Sequence, residues 1–312
     1  MRIPADWRRR QYWGDTAQAL LFLLPVLAVL GVFVYYAFGN AFYLALQKVW
    51  PVRRVGSEII PFYTEYIGLG NFQFIFFRDR FFLQALYQTV LYVAISVPVT
   101  LAVALLLAAL LNQGVRLRPF FRLAYFMPYI TPVVAISLVW QWIFNWRSGL
   151  LNYVLGLFGV SMQNWLNDPN LALPAVIIMN VWRYAGWQSI ILLAGMQNID
   201  RSYYEAARVD GATAFQVWRR ITFPLLTPQI FFVLIISMIG SFKIFEEIFI
   251  LFAGSPGPRR SALTLVYYIF DMGFQRYRYG VAAAASVVLF GIILLFTLFQ
   301  LVVTQRRVHY QQ

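Results

Sequence analysis

Six runs of apolar sequence dominate this chain, at residues 17–46, 83–111, 123–146, 171–196, 227–252 and 279–304. A helix needs roughly 20 apolar residues to cross a hydrocarbon core, and each run is long enough. The first two carry no charge, the fourth is interrupted once by Arg183, and the fifth is charged only in its second half. Runs of this length are too long for helices in a soluble core and lack the alternation of outer-membrane strands. Hydrophobic residues make up 61% of the chain and charged residues 12%, against about 45–50% and 25% in a soluble domain, so most of the surface cannot be meant for water. The expected class is an all-α membrane protein with six transmembrane helices, each satisfying its own backbone hydrogen bonds. Residues 17–304 form one membrane domain between an N-terminal tail, 1–16, and a C-terminal tail, 305–312. The basic cluster Arg8, Arg9, Arg10 ahead of a long apolar run reads as a retained signal-anchor. The loop 47–82 is expected to hold a short amphipathic helix.

The 25 basic and 12 acidic residues give a net charge of +13. In a soluble protein that excess would suggest nucleic acid. Here the basic residues flank apolar runs, so the expected partners are lipid headgroups and no nucleic acid. With the N-terminus inside, the inner segments hold 13 of the basic residues and the longer outer segments hold 10. This bias places both termini in the cytoplasm. The chain has no cysteine and one histidine, His309, which excludes thiolate catalysis and cysteine or histidine metal sites. Lys48 and Lys243 follow Gln47 and Phe242, so no Gly-Lys pair exists to cradle phosphates. Energy must come from another subunit or from an ion gradient.

The loop 197–226, between the fourth and fifth runs, is the most informative stretch. Asp200 or Ser202 suits the cap of a first short helix, and Gly211 suits the left-handed position that ends it. Thr213 can cap a second helix running through Trp218 to Ile221. Pro224 is expected to end that helix, and Thr227-Pro228 to start the fifth span. Ala206 and Ala207 after Glu205 allow another surface to approach closely, and Phe215, Trp218 and Ile221 form an apolar patch.

This loop resembles the signature loop of permease subunits in binding-protein-dependent ABC importers. The family pattern is Glu-Ala-Ala, three residues, Gly, nine residues, Ile, one residue, Leu-Pro. It appears here as Glu205-Ala206-Ala207, Gly211, Ile221 and Pro224, with Phe223 in place of Leu. Three further stretches resemble the carbohydrate branch, the maltose-type and glycerol-3-phosphate-type permeases. They begin at Tyr66-Ile-Gly-Leu-Gly-Asn-Phe72, Ser241-Phe-Lys-Ile-Phe-Glu-Glu-Ile248 and Ser261-Ala-Leu-Thr-Leu-Val-Tyr-Tyr-Ile-Phe270. Gly254-Ser-Pro-Gly-Pro258 stands where the family usually has Gly-Gly-Pro. The resemblance implies a type I ABC importer permease fold in a prokaryotic cytoplasmic (inner) membrane. It also implies a second related permease, two cytoplasmic ATPase subunits that bind ATP and Mg, an extracytoplasmic solute-binding protein and a sugar substrate. This chain would then be no enzyme and would need no cofactor of its own. Glu205, Ala206, Ala207, Gly211, Phe215, Trp218, Ile221 and Pro224 would couple it to the ATPase.

An arginine in mid-span should face a cavity or a partner, because insertion costs about 2.5–3.5 kcal/mol. Asn180, Tyr184 and Trp187 share the Arg183 side of the fourth span. Hydrogen-bonding groups beside aromatic faces suit a sugar path. In the fifth span, Lys243 and Glu247 can pair at a spacing of four, leaving Glu246 to line the path. Arg183 can instead pair with Glu246 or Glu247 across helices. The alternative functional class is a secondary transporter or channel driven by an ion gradient, which calls for inverted repeats and broken helices. Proline lies in the spans at Pro98, Pro128, Pro132 and Pro174, and no inverted repeat is evident.

Overall fold

The computed structural model describes residues 5–50, 53–55, 58–60, 63–113 and 116–305. The ends of both tails lie outside these residues. Helix α1 (Ala5–Leu30) begins well before the first apolar run and continues through a π-helical turn, Gly31–Tyr36, into α2 (Ala37–Ala45). The loop that follows contains strands, which its aromatic and charged composition did not announce. Strand β1 (Gln47–Trp50) pairs antiparallel with β4 (Tyr63–Tyr66), and between them β2 (Arg53–Val55) pairs with β3 (Glu58–Ile60). The expected loop helix is also present, as α3 (Gly70–Gln73) and the π-turn Phe74–Arg78. The second run is α4 (Arg80–Asn112), with Asp79 as its N-cap.

The third run is not one straight helix. Helix α5 (Arg118–Ile130) and α6 (Val133–Ile143) meet at an angle of 100°. Pro132 has no N–H for the helical ladder and forces Thr131 into extended backbone at φ −72°, ψ 137°. After α7 (Leu150–Leu157), the fourth run forms α8 (Ala172–Gln197) as expected. Helix α9 (Arg201–Val209) and the unit built from α10 (Ala214–Val217), a π-turn over Trp218–Thr222 and α11 (Phe223–Leu225) make the helix pair of the loop. Pro224 does not end the second helix, which runs on to Leu225. The bend, 64°, comes at Leu226, before α12 (Thr227–Phe242). Thr227 is the first helical residue rather than the cap, and its hydroxyl donates back to the Pro224 carbonyl at 2.6 Å.

The fifth run is also broken. It unwinds between Phe242 and Glu246, where α13 (Glu246–Leu251) starts. Inside a membrane an open carbonyl needs a partner. The fully buried Thr264 hydroxyl supplies one by donating to the Ile244 carbonyl at 3.0 Å. Gln141 caps the far end of α13 through the Ile250 carbonyl at 2.7 Å. The short α14 (Leu265–Phe270) precedes α15 (Tyr279–Gln305), the last run. Among the described residues, four helices are long and apolar enough to span a membrane, and the two bent pairs raise this to as many as six.

Helices α4 and α8 form the most extensive helix pair. At one end Ala104 and Ala108 of α4 pack with Leu192 and Leu193 of α8 and with Ile230 and Val233 of α12. Small residues let the backbones approach where no hydrophobic gain separates helix from lipid. Gly186 shows how close this becomes: a Cβ there would lie 1.8 Å from the Tyr125 carbonyl oxygen of α5. At the opposite end Phe82, Tyr268, Val176 and Ile248 join α4, α14, α8 and α13 in one core. Tyr268 donates to Asp79 there at 2.8 Å, across 189 residues of sequence. Burial covers 56% of the apolar window of α8 and 0% of that in Gln18–Ala45. The fourth span is therefore central, and the first leaves its most apolar stretch uncovered and joins the bundle mainly where α2 packs on α15.

Candidate functional site

Asn180, Arg183, Tyr184 and Trp187 of α8 lie on one wall of a cavity of about 550 Å³. Lys243, Glu246 and Glu247 lie on another, at the unwound stretch of the fifth run. All seven residues singled out from the two runs thus meet in one place. A continuous helix over 227–252 would have put Lys243 and Glu247 one turn apart, but the break separates them. Glu247 instead accepts from Arg183 Nη1 at 2.7 Å. Both side chains are largely covered, at 13% and 9% exposure, so attraction between them is little screened. Tyr184 adds a long contact to the same carboxylate at 3.4 Å. Lys243 and Glu246 make no ion pair among the described residues, and both are exposed to the cavity.

Three buried polar atoms at the cavity have no hydrogen-bond partner among the described residues. Asn180 is 1% exposed, and its amide donates to the Val176 carbonyl at 3.1 Å, yet its Oδ1 has no partner. The same holds for Arg183 Nε and Gln188 Oε1. A buried polar group left unpaired costs about 1–3 kcal/mol, so such groups suit a ligand that brings hydroxyls. Trp187 stacks on Tyr129 of α5, with centroids 5.2 Å apart and planes at 19°.

Sequence reasoning missed Tyr129. It also missed Tyr92, Ser96 and Thr100, which α4 contributes to the cavity, and the Gln188–Ser237 hydrogen bond at 2.8 Å. The signals were weak polar residues within apolar runs: Ser96 and Thr100 lie four apart on one face of α4, and Tyr129 stands between Pro128 and Pro132. Among the described residues the cavity is lined by two basic and two acidic side chains, Arg183 and Lys243 against Glu246 and Glu247.

The loop helices lie at the other end of the molecule. Asp200 caps α9 by accepting from the Ser202 N–H at 2.8 Å. That bond holds its carboxyl below the usual carboxylate range. Gly211 takes φ +70°, and the bonds from Gly211 N to the Arg208 carbonyl and from Ala212 N to the Ala207 carbonyl close the helix end. Thr213 and Gln216 form a reciprocal capping box. Glu205 and Ala206 are exposed, whereas Ala207 is buried. The apolar patch differs from the expected one. Phe215 is 69% exposed, but Trp218 and Ile221 are half-buried, with Trp218 packed on the α4–α8–α12 core. Both lie in the π-turn Trp218–Thr222, and Val209 and Phe223 supply exposed apolar surface instead.

A core of buried helices, two broken spans around a polar cavity and a capped helix pair at one end together define a membrane transport component. The chain belongs to the family described as binding-protein-dependent transport system inner membrane component, whose model matches residues 100–309. It is a multi-pass membrane protein of a transport family. It is 34% identical over 264 residues to the lactose transport system permease protein LacF of Rhizobium radiobacter, covering 82% of this chain and 83% of that one. It is 31% identical over 288 residues to the trehalose/maltose transport system permease protein MalF of Thermococcus litoralis, covering 92% and 93%. A chain of the bacterial alginate ABC transporter, solved in complex with alginate pentasaccharide-bound periplasmic protein, superposes with a TM-score of 0.79. That match has 26% identity and covers 92% of this chain and 95% of that chain. Broken helices, which would also suit a secondary transporter, therefore occur here in an importer family.

Proposed function

We propose that this chain is the membrane-spanning subunit of an ATP-driven sugar importer and forms half of the pathway for a neutral di- or oligosaccharide. The observation that carries the reading is the cavity. It brings aromatic faces, unpaired hydrogen-bonding groups and a balanced set of charges to the point where the fifth span is unwound. Hydroxyls of a sugar would pair with Asn180 and Gln188, and the exposed Lys243 and Glu246 would hold its polar rim. Balanced charge disfavours a polyanion, which would leave its own charges uncompensated in a poorly screened site.

In this reading six helices cross the prokaryotic cytoplasmic (inner) membrane with both termini in the cytoplasm. A second related permease completes the cavity, and an extracytoplasmic solute-binding protein delivers the sugar. Two cytoplasmic ATPase subunits bind ATP and Mg, so this chain needs no cofactor and catalyses no reaction. Glu205, Gly211, Phe215 and their neighbours in 200–224 dock on the ATPase. The reading draws support from the family, from the sugar permeases among its relatives and from the rigidity that three caps confer on the helix pair.

The test is thiol labelling of the assembled importer in liposomes, exploiting a chain that has no cysteine. Glu246→Cys and Arg183→Cys should react with small water-soluble thiol reagents, and their reactivity should change when ATP hydrolysis is trapped. Neutral oligosaccharide, delivered by the binding protein, should protect them, and an oligouronate should not. Silence at both positions in every trapped state would place them in packed interfaces and remove the cavity from the pathway.

A further inference from the structure

A second and larger cavity, of about 1070 Å³, lies at the end of the molecule away from the loop helices. It is walled by β1, the turn after α3 and the start of α15, and Lys48, Arg78, Arg276 and Arg278 all line it. Among the described residues its charge is not balanced. Arg276 pairs with Asp271 at 2.9 Å, whereas Lys48, Arg78 and Arg278 make no ion pair among the described residues. Glu65 faces Lys48 across the β1–β4 ladder without closing on it. Two of these three cations are held by rings: Lys48 Nζ sits 4.1 Å from the Trp50 centroid, and the Arg278 guanidinium 4.3 Å from that of Phe74. Trp50 Nε1 is buried and has no hydrogen-bond partner among the described residues. Cations held by ring faces, with a spare indole donor beside them, suit an anion rich in oxygen.

The position of the cavity decides which anion. It opens between the end of the first span and the start of the last, and these spans face outward along most of their length. Beneath it Phe38, Phe42 and Phe290 form an edge-to-face seam between α2 and α15, with centroids 4.9 to 6.3 Å apart. All three rings are well exposed. The basic chamber is rimmed by Trp50, Tyr277 and Tyr279, the residue types that gather where membrane meets water, and the apolar seam continues from it along α2 and α15. That juxtaposition matches a phospholipid.

We propose that this cavity binds the phosphate headgroup of an anionic phospholipid, whose acyl chains lie along the Phe38–Phe42–Phe290 seam. Arg78 and Arg278 hold the phosphate, Lys48 adds charge, and the Trp50 indole donates a hydrogen bond. The site shares no lining residue with the sugar cavity, so it stands or falls independently of the transport reading. A lipid bound there would tie the first span to the last, and the first span otherwise buries none of its apolar window.

The test uses the purified full chain in detergent micelles, with phosphatidylglycerol, phosphatidylcholine and inorganic phosphate as probes. Phosphatidylglycerol should raise Tm by about 4 °C, while the other two leave it nearly unchanged. The double variant Arg78→Gln, Arg278→Gln should lose most of that rise, and native mass spectrometry should count one retained phosphatidylglycerol fewer. Should that variant start from a lower Tm without lipid, Lys48→Gln provides the same comparison with a milder change. An equal rise with inorganic phosphate would make this a site for a soluble anion and overturn the lipid assignment. So would an equal rise with phosphatidylcholine, or an undiminished rise in the variants. Loss of solute-binding-protein docking in the double variant, with the phosphatidylglycerol rise intact, would assign the cavity to a protein contact and overturn it too.

Discussion

Arg183 has to be compensated within the membrane, and Glu247, 64 positions away, does it at 2.7 Å. Removing one partner of a covered pair leaves the other charge stranded, at a cost of about 3–5 kcal/mol. Glu247→Ala is therefore expected to destabilise the chain by about 3 kcal/mol. Combining it with Arg183→Ala should cost less than the sum of the single changes, as a double-mutant cycle of unfolding in detergent would measure. A coupling energy near zero would mean that the pair contributes nothing. Arg183 was legible as an outlier because any charge in a long apolar run is expensive. Its partner was legible only as one of two carboxylates, Glu246 or Glu247, because Lys243, Glu246 and Glu247 exchange roles according to where the fifth span unwinds. The open Ile244 carbonyl at the break is met by Thr264, 20 residues further along the chain.

Among the elements, the loop helix pair was the most legible, since caps and a left-handed glycine are local chemistry. Gly211→Val should cost roughly 1–2 kcal/mol in the left-handed conformation. Open space around its Cβ makes that strain purely a matter of backbone. Capture of the ATPase should fall while membrane insertion stays intact, and capture at the wild-type yield would count against the coupling role. The Asp200 cap has a pH signature. Its folded pKa is depressed by the Ser202 N–H, so its contribution is present above the unfolded value of about 3.9. It is lost as pH falls through the lower folded value. Exchange of the Ser202 amide, relative to its intrinsic rate, should accelerate as pH drops below about 4, and Asp200→Asn should abolish that step. The spans were legible as elements but not as shapes. Thr131-Pro132 marks the 100° bend between α5 and α6, whereas the apolar sequence around Lys243 shows no breaker at its break.

The whole molecule is built as one part of a larger assembly. Polar groups in the cavity between α4, α8 and the fifth run lack hydrogen-bond partners among the described residues, and the first span buries none of its apolar window. Phe215, Val209 and Phe223 leave apolar surface at the loop helices of a kind that marks interaction sites. The purified chain reconstituted alone in liposomes is therefore expected to bind no ATP and to transport no sugar. Uptake driven by an ion gradient without ATPase subunits would replace the importer reading with that of a secondary transporter.

Hydropathy by itself marked the apolar runs that form the long helices and bent helix pairs able to span a membrane, because lipid admits only segments that satisfy their own backbone. Charge in apolar runs picked out the cavity residues, since such charge is tolerated there only with a role. The caps at Asp200, Gly211 and Thr213 were equally local and equally readable. Tertiary structure alone decided which carboxylate meets Arg183, where the fifth span opens, that Tyr129 stacks on Trp187, and that four cations from distant segments line one chamber. Each of these depends on the rotation and break points of packed helices. Those are set by contacts between residues tens to hundreds of positions apart, which no local pattern in the chain encodes.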